Sequence, residues 1–227
     1  MPPRAFAQIE PHVVGDNDPA AAQSWFAQHR AYVDRARAGG IRLLFIGDSL
    51  TYGWHVDGSK SWDTAFRPLD AEAFGIGGDE TVDVLWRIRH GELDGIQPHV
   101  VILSIGTNDL GRARGVAATA GGIAACVRAI RAKLPKTTII VLGILPRGEG
   151  DASTPVRRAV AAVNALIANL AGAHTRYLDV GSAFLTPKGS VQPALFRPDL
   201  LHLSSSGYRV WSATLRPRIV ALLSSSS

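Results

Sequence analysis

Apolar residues fall along this chain in two alternating rhythms. Short, near-continuous runs occur at Ile41 to Ile46, Ala71 to Phe74, Val100 to Ile105, Thr138 to Leu142 and Arg176 to Val180. Runs of this kind, most of them rich in β-branched residues, predict strands buried on both faces. Between them lie segments with helical spacing: Ala20 to Ala38, Glu80 to Arg89, Val116 to Leu134, Val156 to Ala171 and Ser205 to Leu223. Breakers follow the first four at Gly39-Gly40, Gly91, Pro135 and Gly172, and Ser204, Ser205 or Ser206 can cap the last. Strand alternating with helix predicts an α/β fold: a three-layer α/β/α sandwich around a five-stranded parallel sheet of flavodoxin-like type. In such sheets ligands bind at the carboxyl ends of the strands.

The 227 residues suit one domain, 1–227, with a helix-bearing N-terminal extension over 1–40 and a core over about 41–223. The terminal Ser224 to Ser227 is expected to fray. Hydrophobic residues at 46% and charged residues at 19% fit a soluble globular chain, and no apolar run is long enough to span a bilayer. No apolar stretch follows the basic N-terminus, so no secretory leader is expected and the cytoplasm is the expected location. The net charge of +5 is spread along the chain and interrupted by acids, which argues against a nucleic-acid surface. Cys126, the single cysteine, can form neither an intrachain disulfide nor a cysteine zinc site, and packing is its expected role.

The candidate chemistry gathers at strand ends. The first strand runs into Gly47-Asp48-Ser49-Leu50, which puts a serine where a substrate can reach its hydroxyl. A capped strand-to-helix turn explains that motif equally well when it is read alone. After the second strand comes Phe74-Gly75-Ile76-Gly77-Gly78-Asp79-Glu80, where a glycine N–H can face a developing oxyanion. A phosphate loop fits poorly, because Glu80 stands where GxGxxG needs glycine. After the third strand, Gly106-Thr107-Asn108-Asp109 supplies a side-chain amide donor, with an Asx turn as the bland alternative.

Near the last helix, Asp199 and His202 stand three residues apart, so the carboxylate can orient the imidazole and leave its other nitrogen for a serine proton. Asp179 and Asp48 are rival carboxylates, and spacing favours Asp199. Leu50, Tyr52 and Trp54 after the serine, with Leu195 and Phe196 before the acid, are candidate walls of an acyl pocket, and core packing is their competing role. Arg147 follows the fourth strand; an anionic substrate group or Glu149 is its candidate partner.

Glycine, serine, asparagine and histidine in this order resemble the four sequence blocks of the SGNH (GDSL) hydrolases, over roughly Ile41 to Leu223. The resemblance implies a cofactor-free, metal-free serine esterase acting on a small-molecule ester. It implies Ser49 as nucleophile, Asp199 and His202 as the rest of the triad, and Ser49 N–H, Gly78 and Asn108 as oxyanion donors. The runs Phe74 to Asp79, Val84 to Arg87, Gly91 to Leu93 and Ile144 to Glu149 are similar to the catalytic subunits of intracellular, brain-type platelet-activating-factor acetylhydrolases, which implies short acyl groups, acetyl above all. Asn108-Asp109 is instead as in bacterial GDSL esterases. A carbohydrate O-deacetylase and a non-catalytic binding subunit of the same fold stay open as alternatives, and so does self-association.

Overall fold

The computed structural model describes residues 11, 12 and 18–224. The N-terminal stretch read for a leader, and the serine tail beyond Ser224, lie outside those residues. Eight α-helices and five strands carry the fold among the described residues. In chain order they are α1 (Pro19–Arg37), β1 (Leu43–Gly47), α2 (Ser49–Tyr52), α3 (Ser59–Ala65), β2 (Ala71–Gly75), α4 (Thr81–Arg87), β3 (Val100–Ser104), α5 (Thr107–Gly111), α6 (Val116–Lys133), β4 (Thr138–Leu142), α7 (Pro155–Ala168), β5 (Thr175–Leu178) and α8 (Ser205–Ser224). The sheet is fully parallel, in the order β2-β1-β3-β4-β5. The expected α/β/α sandwich is thus the observed one.

Alternate side chains of each central strand feed different layers. Leu44 and Ile46 of β1 join Val101 and Leu103 of β3 in a core closed by Trp25, Tyr32 and Ala36 of α1, Val84 of α4, Ile123 and Ile130 of α6 and Val163 of α7. Leu43 and Phe45 point the other way, into a core closed by Trp62 of α3 and by Tyr208, Trp211, Leu215 and Ile219 of α8. Each fully buried large apolar side chain contributes about 1.5–3 kcal/mol, so both layers hold the sheet. Helix α1, expected to be an extension, is built into the first of these cores.

Local chemistry sets the helix starts. Asp18 caps α1 by accepting from Ala20 N–H and Ala21 N–H, both at 3.0 Å, with Pro19 at the first helical position. Glu80, expected inside the fourth helix, is its cap instead, in a reciprocal capping box with Asp83. That helix passes at Ile88 into a looser turn ending at Glu92, with Gly91 at φ +101°. The short helices α2, α3 and α5 have too few residues to show a periodicity, which is why the hydrophobic pattern misses them. No helix of the described residues is long and apolar enough to cross a membrane.

Register fixes the site. Gly47 of β1 lies level with Gly75 of β2 and Ser104 of β3. The chain therefore leaves three adjacent strands at one height, and Ser49, Gly78 and Asn108 follow within four residues of those exits.

Candidate active site

Ser49 is the first residue of α2, and Asp48 caps that helix by accepting from Leu50 N–H at 2.9 Å. The capped turn and the candidate nucleophile are thus one structure. As a first-turn residue, Ser49 keeps its own N–H free of any intrahelical acceptor. Two contacts hold the helix down. Tyr208 of α8 donates its hydroxyl to Leu50 O at 2.7 Å, and β2 passes so close that a Cβ on Gly75 would stand 2.2 Å from Tyr52 N. Only glycine permits that approach.

His202 Nε2 lies 2.9 Å from Ser49 Oγ, and His202 Nδ1 lies 2.7 Å from Asp199 Oδ2. The segment carrying both residues is a closed turn. Phe196 and Leu203 form a bridge at its base, Arg197 N–H donates to His202 O at 2.7 Å, and Ser204 N–H donates to Leu195 O at 3.0 Å. Asp199 Oδ1 accepts from the N–H groups of Leu201 and His202, both at 2.9 Å. Burial acts to raise the Asp199 carboxyl, but the His202 ring and those two N–H donors outweigh it and hold it at about 2. Asp179, the rival acid, is engaged elsewhere, accepting from Gly181 N–H at 2.7 Å. Asp48 lies sealed beneath Ser49, where burial pushes its carboxyl up to about 7 against the pull of Leu50 N–H.

On the far side of Ser49, Gly78 sits exposed in the β2–α4 loop at φ +82°, a conformation open to glycine and strained for other residues. Asn108, on the first turn of α5, donates through Nδ2 to Asp79 O at 2.8 Å. An amide nitrogen carries two hydrogens, so one is left over. That bond ties the Asn108 amide to the backbone of Asp79, the residue after Gly78.

Beneath this loop lies a charge cluster that sequence reasoning missed. Arg87 has no exposed surface, ion-pairs with Asp79 Oδ2 at 2.9 Å and Glu92 Oε1 at 2.5 Å, and donates to Gly47 O at 2.9 Å and Phe74 O at 3.3 Å. Trp25 Nε1 donates to the other Asp79 oxygen at 2.6 Å, and Tyr32 donates its hydroxyl to Gly75 O at 2.7 Å. Helix α1 thereby buttresses the end of β2 and the loop after it, while Arg87 ties in the end of β1. Burial pushes the Asp79 and Glu92 carboxyls up, Glu92 to about 7, with Arg87 acting against it. The available signal was an arginine and a glutamate set among apolar core positions.

The five candidate pocket residues separate. Tyr52 is 41% exposed and lines a cavity of about 350 Å³ with Trp25, Gln28, Ile76 and Gly77. Leu50 is buried one residue beyond Ser49, while Leu195 and Phe196 are buried in the segment that leads into the His202 turn. Trp54 is no pocket wall. It has no exposed surface and stacks on Trp211 at 5.2 Å between ring centres, because the turn after α2 points it back into the α8 core. Cys126 is buried, as expected, and donates to Thr81 O at 3.3 Å.

Comparison with known proteins places the chain in a family. The family model described as GDSL-like lipase/acylhydrolase matches residues 45–210. The alpha2 subunits of platelet-activating factor acetylhydrolase IB from Gallus gallus and Homo sapiens are each 36% identical over 222 residues, covering 92% of this chain and 93% of theirs. Among solved structures, a GDSL-like lipase from Bacteroides thetaiotaomicron superposes with a TM-score of 0.70 at 22% identity, covering 86% of this chain and 98% of its own. An acetylxylan esterase from Geobacillus stearothermophilus superposes with a TM-score of 0.62 at 19% identity, covering 78% and 93%. At those identities the structural likenesses speak to fold alone.

Proposed function

The chain belongs to the GDSL-like lipase/acylhydrolase family, and from that premise we propose that it is a serine esterase that cleaves short-acyl carboxylic esters through an acyl-enzyme at Ser49. The observation that carries this reading is the relay from Asp199 through His202 to Ser49, with contacts of 2.7 and 2.9 Å.

The chemistry follows from those contacts. Asp199 accepts from His202 Nδ1–H, which leaves Nε2 as a base facing the serine hydroxyl. As Ser49 Oγ attacks the ester carbonyl carbon, its proton passes to Nε2 and the carbonyl oxygen gains negative charge. Ser49 N–H, Gly78 N–H and the second Nδ2 hydrogen of Asn108 are the donors for that oxygen, fixed before the reaction begins. Collapse breaks the bond to the alcohol oxygen, which takes the proton from His202 and departs. Water then attacks the acyl-enzyme, again giving a proton to His202, and the acid leaves with Ser49 restored.

The preference for acetyl is supported by the names of the 36% identical relatives, which are acetylhydrolase subunits. Release of p-nitrophenol from p-nitrophenyl acetate tests the activity. Turnover is expected to fall to background in Ser49→Ala, and rates are expected to decline as the acyl chain lengthens. Equal rates on long-chain esters would overturn the acetyl assignment.

A further inference from the structure

Arg147 stands on the loop after β4, at the same edge of the sheet as Ser49, and the site as described gives it no task. Its guanidinium is half-buried and lies against the end of α5: two of its nitrogens come within 3.4 and 3.6 Å of where a Cβ on Gly111 would stand. Among the described residues it makes no hydrogen bond or ion pair. Glu149, two residues on and exposed, does not take it. A guanidinium presents five donors in a planar fork, and partial burial strips water from them without supplying protein acceptors. Desolvation accordingly lowers its pKa, and the only opposing charge of note is Asp48 beneath the nucleophile. The other basic side chains near the sheet's carboxyl edge are engaged: Arg87 with Asp79 and Glu92, Arg114 with Glu80, and Arg197 with Asp57.

We propose that Arg147 is the recognition site for an anionic group, a carboxylate or a phosphate, carried on the alcohol half of the ester. The assignment rests on the serine-esterase reading above and extends it to the substrate. Two observations choose the alcohol half. His202 must return its proton to the departing oxygen, so the alcohol lies along the turn that carries His202. The Arg147 loop is bonded to that turn, with Gly148 N–H donating to Leu200 O at 2.9 Å.

Strand spacing supplies a ruler. β1 and β4 are separated by β3, so their heads stand about 10 Å apart. The arginine side chain covers part of that distance, which puts the anion about five bonds from the reacting carbonyl. A charge-assisted, two-pronged contact of this kind fits carboxylate and phosphate alike.

The test compares acetate release from three esters: the acetate of γ-hydroxybutyrate, the uncharged amide of the same compound, and acetoxypropyl phosphate. Wild-type protein is expected to favour the charged esters over the amide by about tenfold or more in kcat/KM. Arg147→Gln brings each ratio close to one. Arg147→Lys keeps part of the preference, because it retains the charge without the fork. Each ratio is taken within one variant, so a general loss of folded protein cancels. The carboxylate and phosphate arms identify which anion the site prefers. A wild-type ratio near one for both anions, or a ratio unchanged in Arg147→Gln, overturns the proposal. Turnover of p-nitrophenyl acetate that depends on Ser49, without any anion preference, overturns the Arg147 assignment alone. Failure to cleave any ester overturns both.

Discussion

Asn108 Nδ2 donates to the carbonyl oxygen of Asp79 at 2.8 Å, so a side chain of α5 holds the carbonyl of the residue that follows Gly78. One bond therefore links the two loops that carry candidate oxyanion donors from different strand ends. In the proposed mechanism, donors held in this way stabilise developing charge without reorganising.

Under the proposed mechanism, Asn108→Ala removes one oxyanion donor and frees the Asp79 carbonyl. It is expected to lower kcat by about 10²- to 10³-fold, with a smaller effect on KM. Steady-state kinetics on p-nitrophenyl acetate measure the split; a change confined to KM would mark Asn108 as a substrate-positioning residue.

Asp199→Asn keeps the shape of the acid and loses its charge. The carboxyl is held at about 2, so it is ionised throughout the neutral range, and in the proposed mechanism it supports the imidazolium that forms during attack. The expected loss in kcat is up to about 10⁴-fold, read by the same assay. Asp179→Asn, at the rival carboxylate bonded to Gly181, is the control, and an equal loss there would reassign the acid.

Asp48 gives a stability signature. Its folded pKa of about 7 lies above the ordinary value of 3.8. Between roughly pH 4 and pH 7 the folded protein thus holds a proton that the unfolded chain has released, and stability declines as pH rises through that window, by roughly 4 kcal/mol. Asp48→Asn retains an oxygen for Leu50 N–H and carries no charge. Denaturant melts at pH 5 and pH 8 are expected to show the variant gaining on the wild type as pH rises. A constant difference would mean that Asp48 does not titrate there.

Trp54→Ala opens a cavity between Trp211, Tyr208 and Phe66. A loss of about 3–5 kcal/mol of unfolding free energy is expected, measurable by chemical denaturation. A loss under about 1 kcal/mol would place Trp54 outside the core.

The sequence pattern showed the sheet because its central strands are compact apolar runs, as in Val100 to Ser104. Ser49, Asn108 and the Asp199–His202 pair were legible for a related reason: each is a chemically distinctive residue at a strand exit or before a helix. Trp54 was misread because an aromatic near a nucleophile looks the same whether its turn aims it at solvent or at α8. Arg87, Asp79 and Glu92 stayed hidden because their meaning is mutual. A buried cation is intelligible only beside the carboxylates and carbonyls that surround it, and those come from β1, β2 and both ends of α4. Likewise, nothing in the order of residues reveals that α1 reaches across to Asp79 through Trp25.

The account stands on Ser49 as the acyl carrier, and peptide mapping after treatment with a serine-directed organophosphonate tests it most directly. The predicted result is a single label on the peptide holding Ser49, with p-nitrophenyl acetate turnover lost in proportion, and no label in Ser49→Ala. A label on another residue, or turnover that persists in Ser49→Ala, would contradict it.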